Sequence, residues 1–193
     1  MSKLMLPDRS KKYVVMTNRI QTKILLAVCL TAFVLLTSNK KEAQSQVYAE
    51  QISRMDGMVQ VDGNQLHVDS LRGKMLIISF WASYDAQSRI NSYQLLKLKN
   101  EFEDTQFHNG DGLEVLSISL DKYSSPLKKA IATDGTSVFH HICDFKGVDS
   151  ELASLFDVYR PVNLLVDADG TVVARDFNVS TLRSTLELLS SEE

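Results

Sequence analysis

Residues 75–81 read MLIISFW, a run without a charge in which β-branched and aromatic side chains dominate. It is too short for a helix and apolar at almost every position, so it predicts a strand buried on both faces. Such a strand needs a layer of structure above and below it, and the downstream sequence supplies the layers. From Ala86 to about Phe102 the pattern becomes helical, with Ile90, Tyr93, Leu95, Leu96, Leu98 and Phe102 predicted on the apolar face. After a break at HNGDG, 108–112, LEVLSISL at 113–120 predicts a second buried strand. Pro126 marks the first turn of a short helix that ends near Asp134-Gly135. Residues 139–145 predict a strand, Ser150 to Phe156 a short helix, and Val162–Val166 with Val172–Asp176 two strands joined by the turn sequence DADG. Ser180 is expected to cap a closing helix through Leu189. Upstream, MVQVDGNQLHV at 58–68 carries a hairpin pattern, and DSLRG at 69–73 a single turn stopped by glycine. The fold class is therefore α/β, a central mixed β-sheet flanked by helices with an N-terminal β-hairpin.

The N-terminus has a different character. Ile24 to Leu36 is thirteen residues without a charge, preceded by Lys3, Arg9, Lys11, Lys12, Arg19 and Lys23 against Asp8 alone. A basic lead of residues 1–23 and a short apolar run over 24–37 predict either a cleaved export signal or a retained anchor. The run is shorter than the roughly 20 residues of a comfortable spanning helix. The basic lead keeps the N-terminus cytoplasmic and sends the remainder to the periplasmic side, anchored or secreted. A start at Met16 would give a leader of more ordinary length. Residues 38–54, rich in Gln, Ser, Lys and Glu, read as a linker, and the domain proper is placed at 55–193.

Charge narrows the partners. Of 21 basic and 24 acidic residues, eight basic and two acidic lie in residues 1–45. The remainder keeps 13 basic and 22 acidic, a net of −9, which argues against nucleic acid and against non-specific binding to an anionic membrane surface. Membrane contact is expected only through an uncleaved leader. Cys29 lies in the apolar run, which leaves Cys143 alone in the domain and allows no internal disulfide. His140, His141 and Cys143 are close in sequence, but neighbouring strand residues point to opposite faces. No metal site and no cofactor are expected, and Cys143 reads as a buried structural cysteine.

Several separated stretches resemble the thioredoxin superfamily, in particular the exported branch typified by TlpA and ResA, with the AhpC/TSA group close by. They are DGNQLHVDSLRGK, Gly73-Lys74 leading into MLIISFWAS, HICDFKGVDSELASLFDV, and RPVNLLVDADGTVVA. Together they cover about residues 56–190. The resemblance implies an aromatic-Cys-x-x-Cys motif after Phe80-Trp81-Ala82, yet Tyr84 is followed by Asp85-Ala86-Gln87-Ser88. A thiolate at a helix N-terminus attacks a disulfide and a second cysteine resolves the product. Asp85 and Ser88 can do neither, so no catalytic residue is assigned at these degenerate positions.

Asp85 is instead expected to cap the helix, a contribution of about 1 kcal/mol. The resemblance also implies a cis peptide at Arg160–Pro161 and places Arg160 against the motif, where an Arg160–Asp85 ion pair is expected. A groove formed by Tyr84, Asp85, Ser88, Tyr159, Arg160 and Pro161 is the predicted binding surface for a protein or peptide. The reading is a redox-inactive binding or scaffold module. The alternative is a thiol-disulfide oxidoreductase or peroxiredoxin-related enzyme that uses Cys143, or chemistry with Asp85 as general base.

Overall fold

The structure is a computed structural model, and it describes residues 48–190 together with Leu30, Val34, Thr37 and Ser38. The chain divides into two compact units, residues 1–43 and 44–193. In the first, the four described positions are helical and exposed. The basic lead, Cys29, most of the apolar run and residues 39–47 lie outside the described residues. Among the described residues, no helix is long and apolar enough to cross a membrane.

In the second unit, helix α1 covers 48–53 and β1 covers Met75–Trp81. There follow α2 (Ala86–Phe102), β2 (Gln106–Phe107), β3 (Gly110–Asp111), β4 (Leu113–Ser119) and α3 (Ser124–Asp134). The chain closes with β5 (His140–Ile142), α4 (Glu151–Leu155), β6 (Val162–Val166), β7 (Val172–Arg175) and α5 (Val179–Leu189). The main sheet has the order β5-β4-β1-β6-β7. β4 is parallel to both β1 and β5, and β6 is antiparallel to both β1 and β7. β1 is therefore the central strand, as its sequence predicts, and every one of its residues is buried.

Alternation along β1 builds two cores. Leu76, Ile78 and Phe80 join Met55, Leu66, Phe156 and Val158 on one face. Met75 and Ile77 join Leu95, Leu98 and Phe102 of α2 and Leu182 and Leu186 of α5 on the other. This is the two-layer burial that a doubly apolar strand demands.

Several expectations are corrected. The 58–68 hairpin forms but is short: Val59 bridges Gln65, the Leu66 amide donates to the Met58 carbonyl and the Gln60 amide to the Asn64 carbonyl, around a turn in which Asp62 Oδ1 accepts the Asn64 amide at 3.0 Å. Residues 48–53, expected as linker, are helical, and Tyr48 and Ile52 pack on the first core. α5 is capped by Asn178, whose side chain accepts the Ser180 amide, so Ser180 lies inside the helix. On α2, Ile90 and Tyr93 are exposed while Ser88 and Ser92 are buried. The apolar stripe of α2 begins only at Leu95. The short hairpin of β2 and β3 was not foreseen. It turns at His108-Asn109 and leads into β4 through Gly112, at φ +78, where a Cβ would lie 2.3 Å from the Glu103 carbonyl oxygen.

His141 is buried, and its Nε2 lies 2.8 Å from the Thr136 carbonyl. Nε2 therefore carries the proton and donates. Burial holds the His141 pKa below its usual 6.5, and His140 shifts the same way for the same first cause. The unfolded chain thus binds protons before the folded one, so stability is full above about pH 6.5 and falls as pH drops through the folded values. Urea midpoints measured at pH 8 and pH 5.5 are expected to fall toward acid. His141→Gln, which keeps an N–H donor without the titration, is expected to reduce that slope.

Candidate functional site

The junction after β1 is held from below by one buried carboxylate. Asp121, just beyond β4, accepts Ser83 Oγ at 2.5 Å, the Ser83 amide at 2.9 Å and Ser119 Oγ at 2.6 Å. The Leu120 amide donates to the Trp81 carbonyl at 2.7 Å. These bonds fix the point at which β1 ends and leave Tyr84 and Asp85 to start the helix. The sequence reading missed Asp121. The signal was an acidic residue directly after a strand carrying alternate serines.

Asp85 has extended backbone angles and is the N-cap of α2, with Oδ1 accepting the Ser88 amide at 2.6 Å. The capping expectation is met in geometry. Ser88 is only 4 % exposed, and its Oγ has no hydrogen-bond partner among the described residues. Arg89 reaches Asp134 on α3 through Nε at 2.8 Å and Nη2 at 2.5 Å, a two-pronged bond that ties the two helices together.

The expected Arg160–Asp85 pair is absent. Arg160 instead bonds Asp176 through both guanidinium ends, Nη1 to Oδ1 at 3.1 Å and Nη2 to Oδ2. The antiparallel return of β7 is the reason. The Asp176 amide donates to the Asn163 carbonyl at 2.8 Å, which sets its carboxylate beside the start of β6, while Asp85 is already committed to its cap. The guanidinium holds the Asp176 carboxyl below the usual carboxylate range. The Arg160–Pro161 peptide is trans, with no cis bond among the described residues. Trans is the lower-energy form by about 0.5–1 kcal/mol even before proline.

A cavity of about 340 Å³ lies at this junction and brings Asp85, Ser88, Arg160 and Pro161 together. Ser79, Asn91, Asn163 and Phe177 also line it. Tyr84 and Tyr159 are not part of its wall and stand 76 % and 75 % exposed. Cys143 is not part of the cavity wall. β4 lies between β5, which precedes Cys143, and β1, which leads into the junction. Cys143 Sγ contacts the Asp121 carbonyl at 3.5 Å and packs by the cluster of Trp81, Leu127, Ala130 and Ile131. Burial pushes its thiol pKa up, which opposes thiolate formation. His140 lies 3.9 Å from Glu114, and His141 faces Thr136. Among the described residues, no three of His, Cys, Asp and Glu are gathered as metal donors.

No protein-family model matches this chain, and no curated protein matches it. Solved structures do. A thiol-disulfide oxidoreductase from Bacteroides fragilis superposes with a TM-score of 0.59 at 27 % identity, over 68 % of this chain and 94 % of that one. The fold is thioredoxin-like. A thioredoxin-like protein from Parabacteroides distasonis matches at 27 % identity and a TM-score of 0.52, over 60 % of this chain and 81 % of that one. The thioredoxin domain of a Bacteroides vulgatus thiol-disulfide oxidoreductase, at 24 % identity and 0.59 over 69 % and 91 %, shares the fold. The thioredoxin-like scaffold thus surrounds a junction that carries the oxygen side chains of Asp85 and Ser88 where the resemblance implies sulfur.

Two measurements follow. Asp121→Ala removes three hydrogen bonds from the loop and is expected to destabilise the protein by about 3 kcal/mol in urea unfolding. Cys143 is expected to react with iodoacetamide at pH 7 at least about tenfold more slowly in the folded protein than in urea.

Proposed function

We propose that this thioredoxin-like domain is a redox-inactive binding or scaffold module on the exported side of the membrane, anchored or released. Its groove lies between residues 84–88 and 159–162 and takes a protein or peptide. The observation that carries the reading is the fate of the two motif positions. Asp85 is consumed as a helix cap and Ser88 is buried, so neither is free for chemistry. The exposed rings of Tyr84 and Tyr159, with Arg160 next to Tyr159 in the chain, offer the residue types that anchor interfaces. The basic lead and apolar run of residues 1–37 support export.

The oxidoreductases among the structural neighbours favour a second reading, thiol-disulfide exchange. Among the described residues it would have to run through Cys143. Insulin reduction with a dithiol donor separates the two. The wild type is expected to match the uncatalysed background, and the Asp85→Cys, Ser88→Cys double variant to rise above it at least about tenfold, because the helix N-terminus that favours a thiolate is kept. Turnover by the wild type that vanishes in Cys143→Ser would establish exchange instead. In capture of the partner, Tyr84→Ala with Arg160→Ala is expected to cost about tenfold or more in affinity.

A further inference from the structure

The helix-facing side of the sheet carries a line of polar side chains through an otherwise apolar layer. On central β1, Ser79 lies opposite Ser117 of β4 and Asn163 of β6, and Ser117 lies opposite His141 of β5. Facing residues of paired strands share a side of the sheet, so this line lies under α2, on the face of Ile77. Above it α2 presents Ser88 and Ser92 rather than apolar residues. The cavity opens at one end of this line.

Three of its lining side chains are almost wholly withdrawn from solvent. Ser79 and Ser88 are each 4 % exposed and Asn163 is 6 % exposed. The Ser88 hydroxyl has no partner, and no hydrogen bond joins the Ser79 hydroxyl or the Asn163 amide to a described residue. Burying the Ser88 hydroxyl unpaired costs about 1–3 kcal/mol, and with the Ser79 hydroxyl and the Asn163 amide facing the same cavity the site favours a polar ligand that completes them. Among the described residues, the one cation at the mouth is already matched, and the one unmatched carboxylate is taken up as a helix cap. Arg160 is bound to Asp176, and Asp85 is bound to the Ser88 amide. An anion would find no free cation among these described residues and would stand beside the Asp85 carboxylate, while an ammonium offers donors only and would leave the Asn163 N–H groups unmet.

We propose that this cavity binds an uncharged primary carboxamide, as a free small molecule or as the Asn or Gln side chain of a docked partner. The Asn163 amide offers one donor edge and one acceptor edge, which a second carboxamide meets with two antiparallel hydrogen bonds. The Ser79 and Ser88 hydroxyls, each able to donate or accept, complete the remaining positions. At about 340 Å³ the cavity has room for a group of this size. The inference rests on the binding role proposed above and names what its deepest part selects.

The test is a titration of the isotopically labelled full chain, followed by NMR, with propionamide, propionate and propylammonium, three probes of one shape and different charge. Propionamide is expected to shift the Asn163 side-chain amide and the Ser88 backbone amide, and the charged probes to leave them in place. Asn163→Ala is expected to weaken propionamide about tenfold and Ser88→Ala about fivefold. If Asn163→Ala does not fold, Ser88→Ala carries the test. A glutamine blocked at both termini, tested beside propionamide, separates a partner's side chain from a free amide by whichever binds more tightly. Equal shifts from all three probes, or none from any, overturn the proposal, the latter meaning that the cavity holds water only. Propionamide binding with partner capture insensitive to Tyr84→Ala and Arg160→Ala would overturn the groove and spare the cavity. The reverse pattern would overturn the cavity alone.

Discussion

The carboxylate of Asp121 sets the geometry on which the site depends. It is buried, and its partners come from the end of its own strand and from the loop that leaves the central strand. A buried charge is tolerated only when its lone pairs are taken up, and here three donors take them up. The arrangement holds β1, β4 and the start of α2 in one register. The neighbouring carboxylate, Asp85, then needs only to turn one side-chain oxygen toward the Ser88 amide for the helix to begin.

With that frame in place, the thioredoxin-like scaffold presents Asp85 and Ser88, not thiols, at the junction after β1. A thiolate at a helix N-terminus is stabilised by unpaired amides, and the Asp85 carboxylate occupies the same field. The remaining thiol among the described residues is Cys143, which packs by Trp81 outside the cavity wall and whose pKa is raised by burial. What the junction retains is shape: a cavity, two exposed tyrosines, and an arginine neutralised by its own partner.

The fold was legible because its strongest signals are local and redundant. MLIISFW could only be a central strand, and α2 and β6 fall at the residues their patterns predict. The site was harder to read because its pairings are long-range. Arg160 was expected to meet Asp85, and only the antiparallel return of β7 shows that Asp176 arrives first. Asp121 looked like an ordinary residue after a strand, since nothing in the chain itself shows that Ser83, 38 residues earlier, would close on it. The polar line across the sheet was invisible for the same reason. Ser79, Ser117 and Asn163 are unremarkable singly, and only strand register sets them side by side. The face of α2 was misread at Ile90 and Tyr93, where a helical stripe was extended over a half-helix whose buried side is serine.

That division of α2 has a dynamic consequence. Its C-terminal half is fastened by Leu95, Leu98 and Phe102 in the second core, whereas its first turns are fastened by the Asp85 cap and the Arg89–Asp134 bond. Local opening follows the weaker fastening. The turns that carry Asp85 and Ser88 can then fray and re-form while the rest of the helix stays docked, so amides near Ser92 are expected to exchange with solvent sooner than those in the Leu95–Leu98 turn. The turns that border the cavity are thereby the part of the helix that can yield without loosening the whole.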